Sequence, residues 1–354
     1  MTICDYSTTR PCEGQRPLAP HHVTMPGPHL SESTLWWTER PVQPLTKEFF
    51  ARLPSAHLEH ITIHNQGLGD RDLKRVLHAV GDLRNIQHLV LSGNALTDAS
   101  VTVLTNVVRA ARHLSHLDLS DNRLTCEGLR QLAVALTEHE TIRYLGLACN
   151  LVRERGVTAL AWCMSTTRVS TVNLGGNVIG DGGVAALAKV LGLSQTKRLG
   201  LSSTGMTCLG VRSIATALVR PNSVLSVLCL SGNRVGDTGL MLLLAALKDR
   251  DTMRELDLES SLCGPYCGRI IADWLKSSTL CLTDLQLTGN ELTASDTAYI
   301  LSSLLKTRIS TLSLSTDHHS PQVAAHLKSI PVALGVEGRV EVQNSQSPVG
   351  LWRW

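Results

Sequence analysis

The sequence predicts an α/β fold of one kind: a right-handed curved solenoid, with parallel strands on its concave face and helices on its convex face. Three observations predict it. The stretch His113–Leu136 opens on L-x-x-L-x-L-x-x-N-x-L, in which Leu114, Leu117 and Leu119 lead into Asn122 and Leu124. Leu129, Leu132, Ala133 and Leu136 follow at spacings of three, one and three, which is one face of a helix. The unit then recurs. Asn94, Asn122, Asn150, Asn177, Asn233 and Asn290 mark six copies, and Gln66, Thr204, Ser261 and Asp317 hold the same place in four more, at spacings of 28, 28, 28, 27, 27, 29, 28, 29 and 27. Such a period is the signature of stacked supersecondary units.

One unit buries too few aliphatic side chains to offset the entropy of ordering it, so it must stack on neighbours. Stacked strands sit about 4.8 Å apart, whereas helices need roughly 10 Å. A continuous stack satisfies both spacings only by curving, strands inside. The recurrent Asn carries a carbonyl and an amide, and is expected to satisfy backbone groups left unpaired by the turn after each strand. From Leu58 to Pro331 the pattern resembles the leucine-rich repeat superfamily, and the long period with a full helix is similar to its ribonuclease-inhibitor-like branch. That resemblance implies a protein-binding scaffold without cofactor, metal or catalytic centre.

Taken in order, residues 1–34 form a proline-rich arm, since eight of the thirteen prolines lie in the first 57 residues; extended or flexible chain is expected there. Residues 35–57 are expected to cap the raw apolar end of the stack. Thr46 is a candidate N-cap for a helix over Leu45–Leu53 that carries Phe49 and Phe50. Trp36 and Trp37 either join this cap or project as an anchor for a partner. Residues 58–331 are ten repeats of 27–29 residues. The inward helical positions begin as Leu73/Val76/Leu77/Val80 and Val101/Leu104/Thr105/Val108 and continue in register. Gly128, Gly156, Gly183, Gly210 and Gly239 precede the first inward residue, which suggests a tight passage from strand to helix. The tenth helix decays through Ala324, Leu327 and Lys328, and Pro331 is expected to end it. Residues 332–354 form a C-terminal cap and tail, with Val336, Val340 and Val342 as a final strand. Trp352 and Trp354 either fold back on that cap or serve as a short docking segment.

Net charge is +3 and charged residues make up 18% of the chain, so no basic stripe calls for nucleic acid. No signal peptide or transmembrane-length run is evident. Of ten cysteines, Cys126, Cys149, Cys163, Cys208, Cys229 and Cys281 stand singly through the repeats and read as reduced thiols, which places the chain inside the cell, in the cytoplasm, with a cytoskeletal association open. Cys263 and Cys267 form CGPYC, a weak metal signal without a second pair.

Because folding consumes the leucines, recognition must use the remaining surface. The third, fifth and seventh residues of L-x-x-L-x-L-x are expected to face the hollow. At its start the third position stacks His60, His88 and His116, with His64 nearby and Tyr144 following; this suggests a pH-sensitive patch or, less simply, a metal site. Arg198 stands midway, among small residues. Later copies carry Glu255, Asp257, Glu259 and Asp284, four carboxylates that repel unless a cation or basic partner neutralises them. No G-x-x-x-x-G-K-[ST], H-E-x-x-H or G-x-S-x-G motif occurs. Three functions stay open: a docking or structural subunit of a larger assembly, such as a ciliary or cytoskeletal complex; a GTPase-activating protein similar to Ran's activator; and an inhibitor or ligand-sensing module. The acidic C-terminal tail typical of the second family is absent from VEGRVEVQNSQSPVGLWRW.

Overall fold

The computed structural model describes residues 29–30, 34–37, 58–264, 266–277, 281–315 and 320–343. Thirteen strands lie in one sheet in strict chain order: β1 (His29–Leu30), β2 (Thr34–Trp37), β3 (His60–Ile63), β4 (His88–Val90), β5 (His116–Asp118), β6 (Tyr144–Gly146), β7 (Thr171–Asn173), β8 (Arg198–Gly200), β9 (Val227–Cys229), β10 (Glu255–Asp257), β11 (Asp284–Gln286), β12 (Thr311–Ser315) and β13 (Val340–Gln343). β1 runs antiparallel to β2; every later pairing is parallel. Between the strands run α1 (Asp70–Val80), α2 (Val101–Ala110), α3 (Cys126–Leu136), α4 (Glu154–Thr166), α5 (Gly180–Val190), α6 (Cys208–Leu218), α7 (Gly236–Leu247), α8 (Cys267–Ser277), α9 (Ala294–Ser303) and α10 (Pro321–Ala333). The fold is an α/β leucine-rich-repeat solenoid, strands lining the concave face and helices the convex one.

The register follows the repeat. His88 pairs with His116, Leu89 with Leu117 and Val90 with Asp118. Equal positions therefore stack into columns, and the paired leucines, such as Leu117 and Leu119, are fully buried against Leu129 and Leu132 of the helix. At α2 the third inward place differs from expectation: Val107 is buried and Thr105 only half-buried. Valine takes the core because the threonine hydroxyl already serves the carbonyl of Thr102, 2.9 Å away.

The asparagines bridge repeats and do not merely close their own turn. Asn150 Nδ2 donates to the carbonyls of Leu147 (3.1 Å) and Ala148 (3.1 Å), and also to Leu119 of the preceding repeat (2.9 Å). Its Oδ1 accepts from Leu124 N of that repeat (3.0 Å). Thr204 and Ser261 do not bridge back in this way: Thr204 Oγ1 donates to the carbonyl of Leu201 (2.9 Å) and to Asn233 Oδ1 of the following repeat (3.2 Å), and Ser261 Oγ donates to the carbonyl of Glu259 (3.3 Å). The repeats before them compensate: Gly180 and Gly236, both at positive φ, aim their N–H at the carbonyls of Thr204 (3.0 Å) and Ser261 (3.1 Å). Asp317 lies outside the described residues.

The residue before each ladder position adopts left-handed backbone. Asn65, Gly93, Asp121, Cys149, Gly176, Ser203, Gly232, Ser260 and Gly289 have φ from 48° to 71°. Glycine, Asn and Asp accept this conformation readily, whereas Cys and Ser are held there by the stack. Gly232 also leaves room for the Ser203 hydroxyl of the preceding repeat.

A second ladder ties the helix starts together. Asp70 accepts from the backbone N (2.8 Å) and hydroxyl (2.7 Å) of Thr97, and Ser100 donates to it as well. Burial works to raise this carboxyl, but the bonds from Ser100 and Thr97 outweigh it and hold it below the usual range. Asp98 serves Thr125 N in the same way (2.8 Å), Asp181 serves Thr207 N (2.8 Å), and Asp237 serves Gly264 N (2.8 Å). Two of the glycines expected to tighten a turn, Gly128 and Gly210, face these carboxylates. Gly128 does not have a left-handed φ; a Cβ there would collide with Asp98 Oδ1, so glycine leaves space for the peg.

Pro331 does not end its helix. α10 continues to Ala333 with Pro331 buried inside it. In the last turn the missing N–H forfeits one bond only, and Leu334 N still reaches the carbonyl of Ile330 (3.0 Å). β13 then pairs with β12, Val340 beside Leu312. At the other end β2 pairs with β3, Trp36 beside Thr62 and Trp37 beside Ile63, so the backbone of both tryptophans extends the sheet. The expected helix over Leu45–Leu53, Trp352 and Trp354 lie outside the described residues.

Candidate functional site

The register turns the third position into one row along the hollow. His60, His116, Tyr144, Thr171, Arg198, Glu255, Asp284 and Thr311 are half-buried, His88 is exposed and Val227 is buried. The fifth and seventh positions behave otherwise than expected. Asp118, Asn173, Cys229, Asp257 and Ser313 are buried, as are Ser92, Ser120, Ser231, Thr288 and Ser315. At a rung spacing of about 5 Å these short side chains touch and bond their neighbours. Cys229 donates to Asp257 Oδ2 (2.6 Å) and contacts Ser202 Oγ (2.8 Å) and Ser231 Oγ (3.3 Å). Deep in this strip, burial and the Asp257 carboxylate push the Cys229 thiol well up.

At the first strands the row is an imidazole ladder. The rings of His60 and His88 meet edge to face with centroids 4.6 Å apart, His88 and His116 lie 5.4 Å apart at 32°, and His116 stacks on Tyr144 at 4.0 Å and 2°. Burial lowers His88, and the neighbouring His60 lowers it further. Burial also drives His116 down to about 4, aided by His88 and opposed by Asp118. Tyr144 is pushed up by burial and by Asp118. Burial thus favours the uncharged forms of His88, His116 and Tyr144. His64 is separate: Asn65 Nδ2 donates to its Nε2 (2.8 Å), which leaves Nδ1–H to donate to Ser92 Oγ (3.0 Å). Among the described residues no three His, Cys, Asp or Glu side chains come together in a way that could hold a metal ion. Cys263 and Cys267 are buried, and the Cys267 thiol donates to Asp237 Oδ1 (2.8 Å).

The acidic zone is not four open carboxylates. Glu255 is paired with Arg198, Nη1 to Oε1 at 3.3 Å and Nη2 to Oε2 at 3.4 Å. This pair spans two rungs and roofs Val227, which explains an apolar side chain in a solvent-reaching row. Asp257 is fully buried, bonded by Cys229 and by Glu259 N (2.9 Å). Glu259 is half-buried; burial and the nearby Asp257 raise it to about 7, although a bond from Thr288 opposes the shift. Asp284, on the next strand, is half-buried.

Glu259 has a stability consequence. Its folded value near 7 exceeds the ordinary 4.5, so the folded chain keeps its proton while the unfolded chain releases it. Stability is greatest below about pH 4.5 and falls as pH rises towards 7. Glu259→Gln is expected to remove this loss, stabilising the fold by about 1–2 kcal/mol at pH 8 once solvent screening is allowed for. Urea melts at pH 5 and pH 8 check it; an equal effect at both would refute the assignment.

Three features escaped sequence reasoning: the Asp pegs, the left-handed column and a basic notch on the rim described below. Each lies in a column outside the leucine pattern whose residue types vary, as in Arg143, Ser170 and Lys197, so the repeat alone did not mark it.

Residues 82–104, 110–133, 169–188 and 222–244 match the family model described as Leucine Rich repeat. NACHT, LRR and PYD domains-containing protein 5 of Homo sapiens is 30% identical over 133 residues, covering 35% of this chain; the chain spans 11% of that relative's length. An internalin from Listeria monocytogenes superposes with a TM-score of 0.40 at 16% identity, covering 81% of this chain and 80% of that one. No helix among the described residues is long and apolar enough to cross a membrane, and the eight described cysteines carry free thiols. With the matched segments lying inside a stack whose leucines are buried and whose asparagines bridge neighbouring repeats, the chain is a leucine-rich repeat protein.

Proposed function

We propose that this chain is a non-enzymatic protein–protein interaction module that reads its partner along the third-position row. One observation carries the reading. A continuous line of chemically varied side chains, from the stacked His60–His88–His116–Tyr144 ladder through the Arg198–Glu255 pair to Asp284, is displayed on a rigid in-register sheet. Such a surface has the length and variety to recognise a macromolecule, and the interlocked strip beneath keeps it from rearranging. The finer reading is a docking subunit of a larger intracellular assembly, such as a ciliary or cytoskeletal complex; it is supported by the proline-rich 1–34 segment and the tryptophans at both ends, which suit contacts with neighbouring subunits. A basic partner face opposite Asp284 fits this half-buried acid of the row.

The test is affinity capture of the full chain with cross-linking and mass spectrometry, comparing wild type with His88→Glu and Asp284→Lys. Both sites sit in the row and neither holds the core. Loss of the same partner set in at least one variant, with unchanged helix content, is expected. Capture identical to wild type in both would refute the row as the recognition surface. Acceleration of a small GTPase by the wild-type chain in single turnover would replace the module reading by an enzymatic one.

A further inference from the structure

On the rim of the sheet where the strands begin, a notch of about 550 Å³ is lined by Arg143, Arg168, Ser170, Gln195 and Lys197. Its origin is the register. Arg143, Ser170 and Lys197 each stand immediately before β6, β7 and β8, so they form a column outside the leucine pattern. Arg168 and Gln195 come from the loops that follow α4 and α5 and lean into the same space. Three cations, a hydroxyl and an amide share the concavity, and no carboxylate lines it. All but Ser170 are exposed.

The lining is partly built in advance. Arg143 Nη1 donates to the carbonyls of Glu140 (2.8 Å) and Ile142 (3.1 Å), which fixes the guanidinium on the rim. Ser170 Oγ donates to the carbonyl of Arg143 (3.1 Å). Arg143, Arg168 and Lys197 have no ion-pair partner among the described residues. Elsewhere on this surface exposed arginines do find acids: Arg84 pairs with Asp82 and Arg130 with Glu127. Like charges gathered without a counter-ion repel, and an anion would relieve that repulsion.

The extent of the notch limits its ligand. Arg143 and Lys197 are two rungs apart, about 10 Å. Two anionic groups three residues apart on an extended peptide span about the same distance. Acids bound the zone on one side, Glu138 and Glu140 in the loop before β6; on the other, Asp249 and Asp251 alternate with Lys248, Arg250 and Arg254 before β10. A long polyanion would run onto Glu138 and Glu140 at one end, and no aromatic ring lines the notch to stack a base. We propose that the notch binds a short anionic peptide segment of a partner protein, its carboxylates or phosphates held by Arg143, Arg168 and Lys197. Arginine suits either group because its planar fork meets two oxygens at once. The proposal rests on the reading of the chain as a protein-binding module and adds a second contact surface, on the rim and away from the concave row.

The test uses the full chain and fluorescence anisotropy with four labelled probes: an octapeptide with two phosphoserines three residues apart, the same peptide with glutamates, the same with serines, and a 12-nucleotide single strand. At least one anionic peptide is expected to bind, the serine peptide is not, and Arg168→Glu/Lys197→Glu should raise Kd at least tenfold. Arg212→Glu, the same reversal at an exposed site on α6, should change it less than threefold. Phosphopeptide binding tighter than glutamate binding assigns phosphate, and equal binding assigns carboxylate; both support the site. Three results overturn it: no preference for anionic over serine peptide, equal losses in the notch and Arg212 variants, or tighter oligonucleotide binding through the same two residues. If the notch probes fail while row variants still lose captured partners, the notch falls and the module reading stands.

Discussion

Asn150→Ala is expected to destabilise the protein by about 3–5 kcal/mol. The side chain is buried and serves four backbone groups on two repeats: the carbonyls of Leu119, Leu147 and Ala148 and the N–H of Leu124. Alanine leaves these without partners in a space water does not reach, and each orphaned buried group costs roughly 1–3 kcal/mol, softened where the turn relaxes. The loss falls at a junction between repeats, and a solenoid depends on its junctions. Thr204→Val is the comparator. It removes bonds to the Leu201 carbonyl (2.9 Å) and Asn233 Oδ1 (3.2 Å), but the repeat before it is already closed by Gly180, so about 1–2 kcal/mol is expected. Urea denaturation followed by circular dichroism measures both. Equal effects would mean that the Asn bridge between repeats contributes little beyond its own turn.

The second large effect is acid sensitivity through the imidazole ladder. His116 falls to about 4 in the fold against an ordinary 6.5. Between these values the unfolded chain takes up a proton that the folded chain refuses. Stability tied to His116 is therefore complete above about pH 6.5 and is lost as pH falls towards 4, by up to about 3 kcal/mol. The groups facing the ring are Asp118, which pulls its proton affinity up, His88, which pulls it down, and Tyr144, stacked at 4.0 Å. His116→Phe keeps a ring on Tyr144 and cannot take up a proton. It is expected to match wild type near pH 7.5 and to exceed it by about 2–3 kcal/mol at pH 4.5. Melting curves at the two values decide the matter; a variant as acid-sensitive as wild type would move the cause to other groups. Protonation would also charge the row used for recognition, so partner capture through His60 and His88 should weaken on the same side of the pH scale.

The leucine and asparagine columns were legible because folding demands them. Leu117, Leu119, Leu129 and Leu132 recur at spacings that only a strand followed by a helix explains, and equal spacing implies equal register. The site was legible only in part. His60, His88, His116 and Tyr144 could be aligned as a column, but not their ring geometry or the lowered proton affinity of His88 and His116, which burial causes. Glu255 and Asp257 read as open acids, because their fate depends on Arg198 two rungs away and on Cys229 one rung away. Likewise Gly128 read as a turn residue, whereas its role is to admit Asp98 from the preceding repeat.

By itself, then, the sequence determined the repeat, its period, the parallel stack and the buried face, since periodic apolar residues leave one arrangement that hides them all. Tertiary structure alone decided which polar side chains reach solvent, which are locked beneath the row, and which cations gather on the rim. Those outcomes depend on contacts between residues 27 to 57 positions apart, where side chains about 5–10 Å from one another compete for the same partners and the same water.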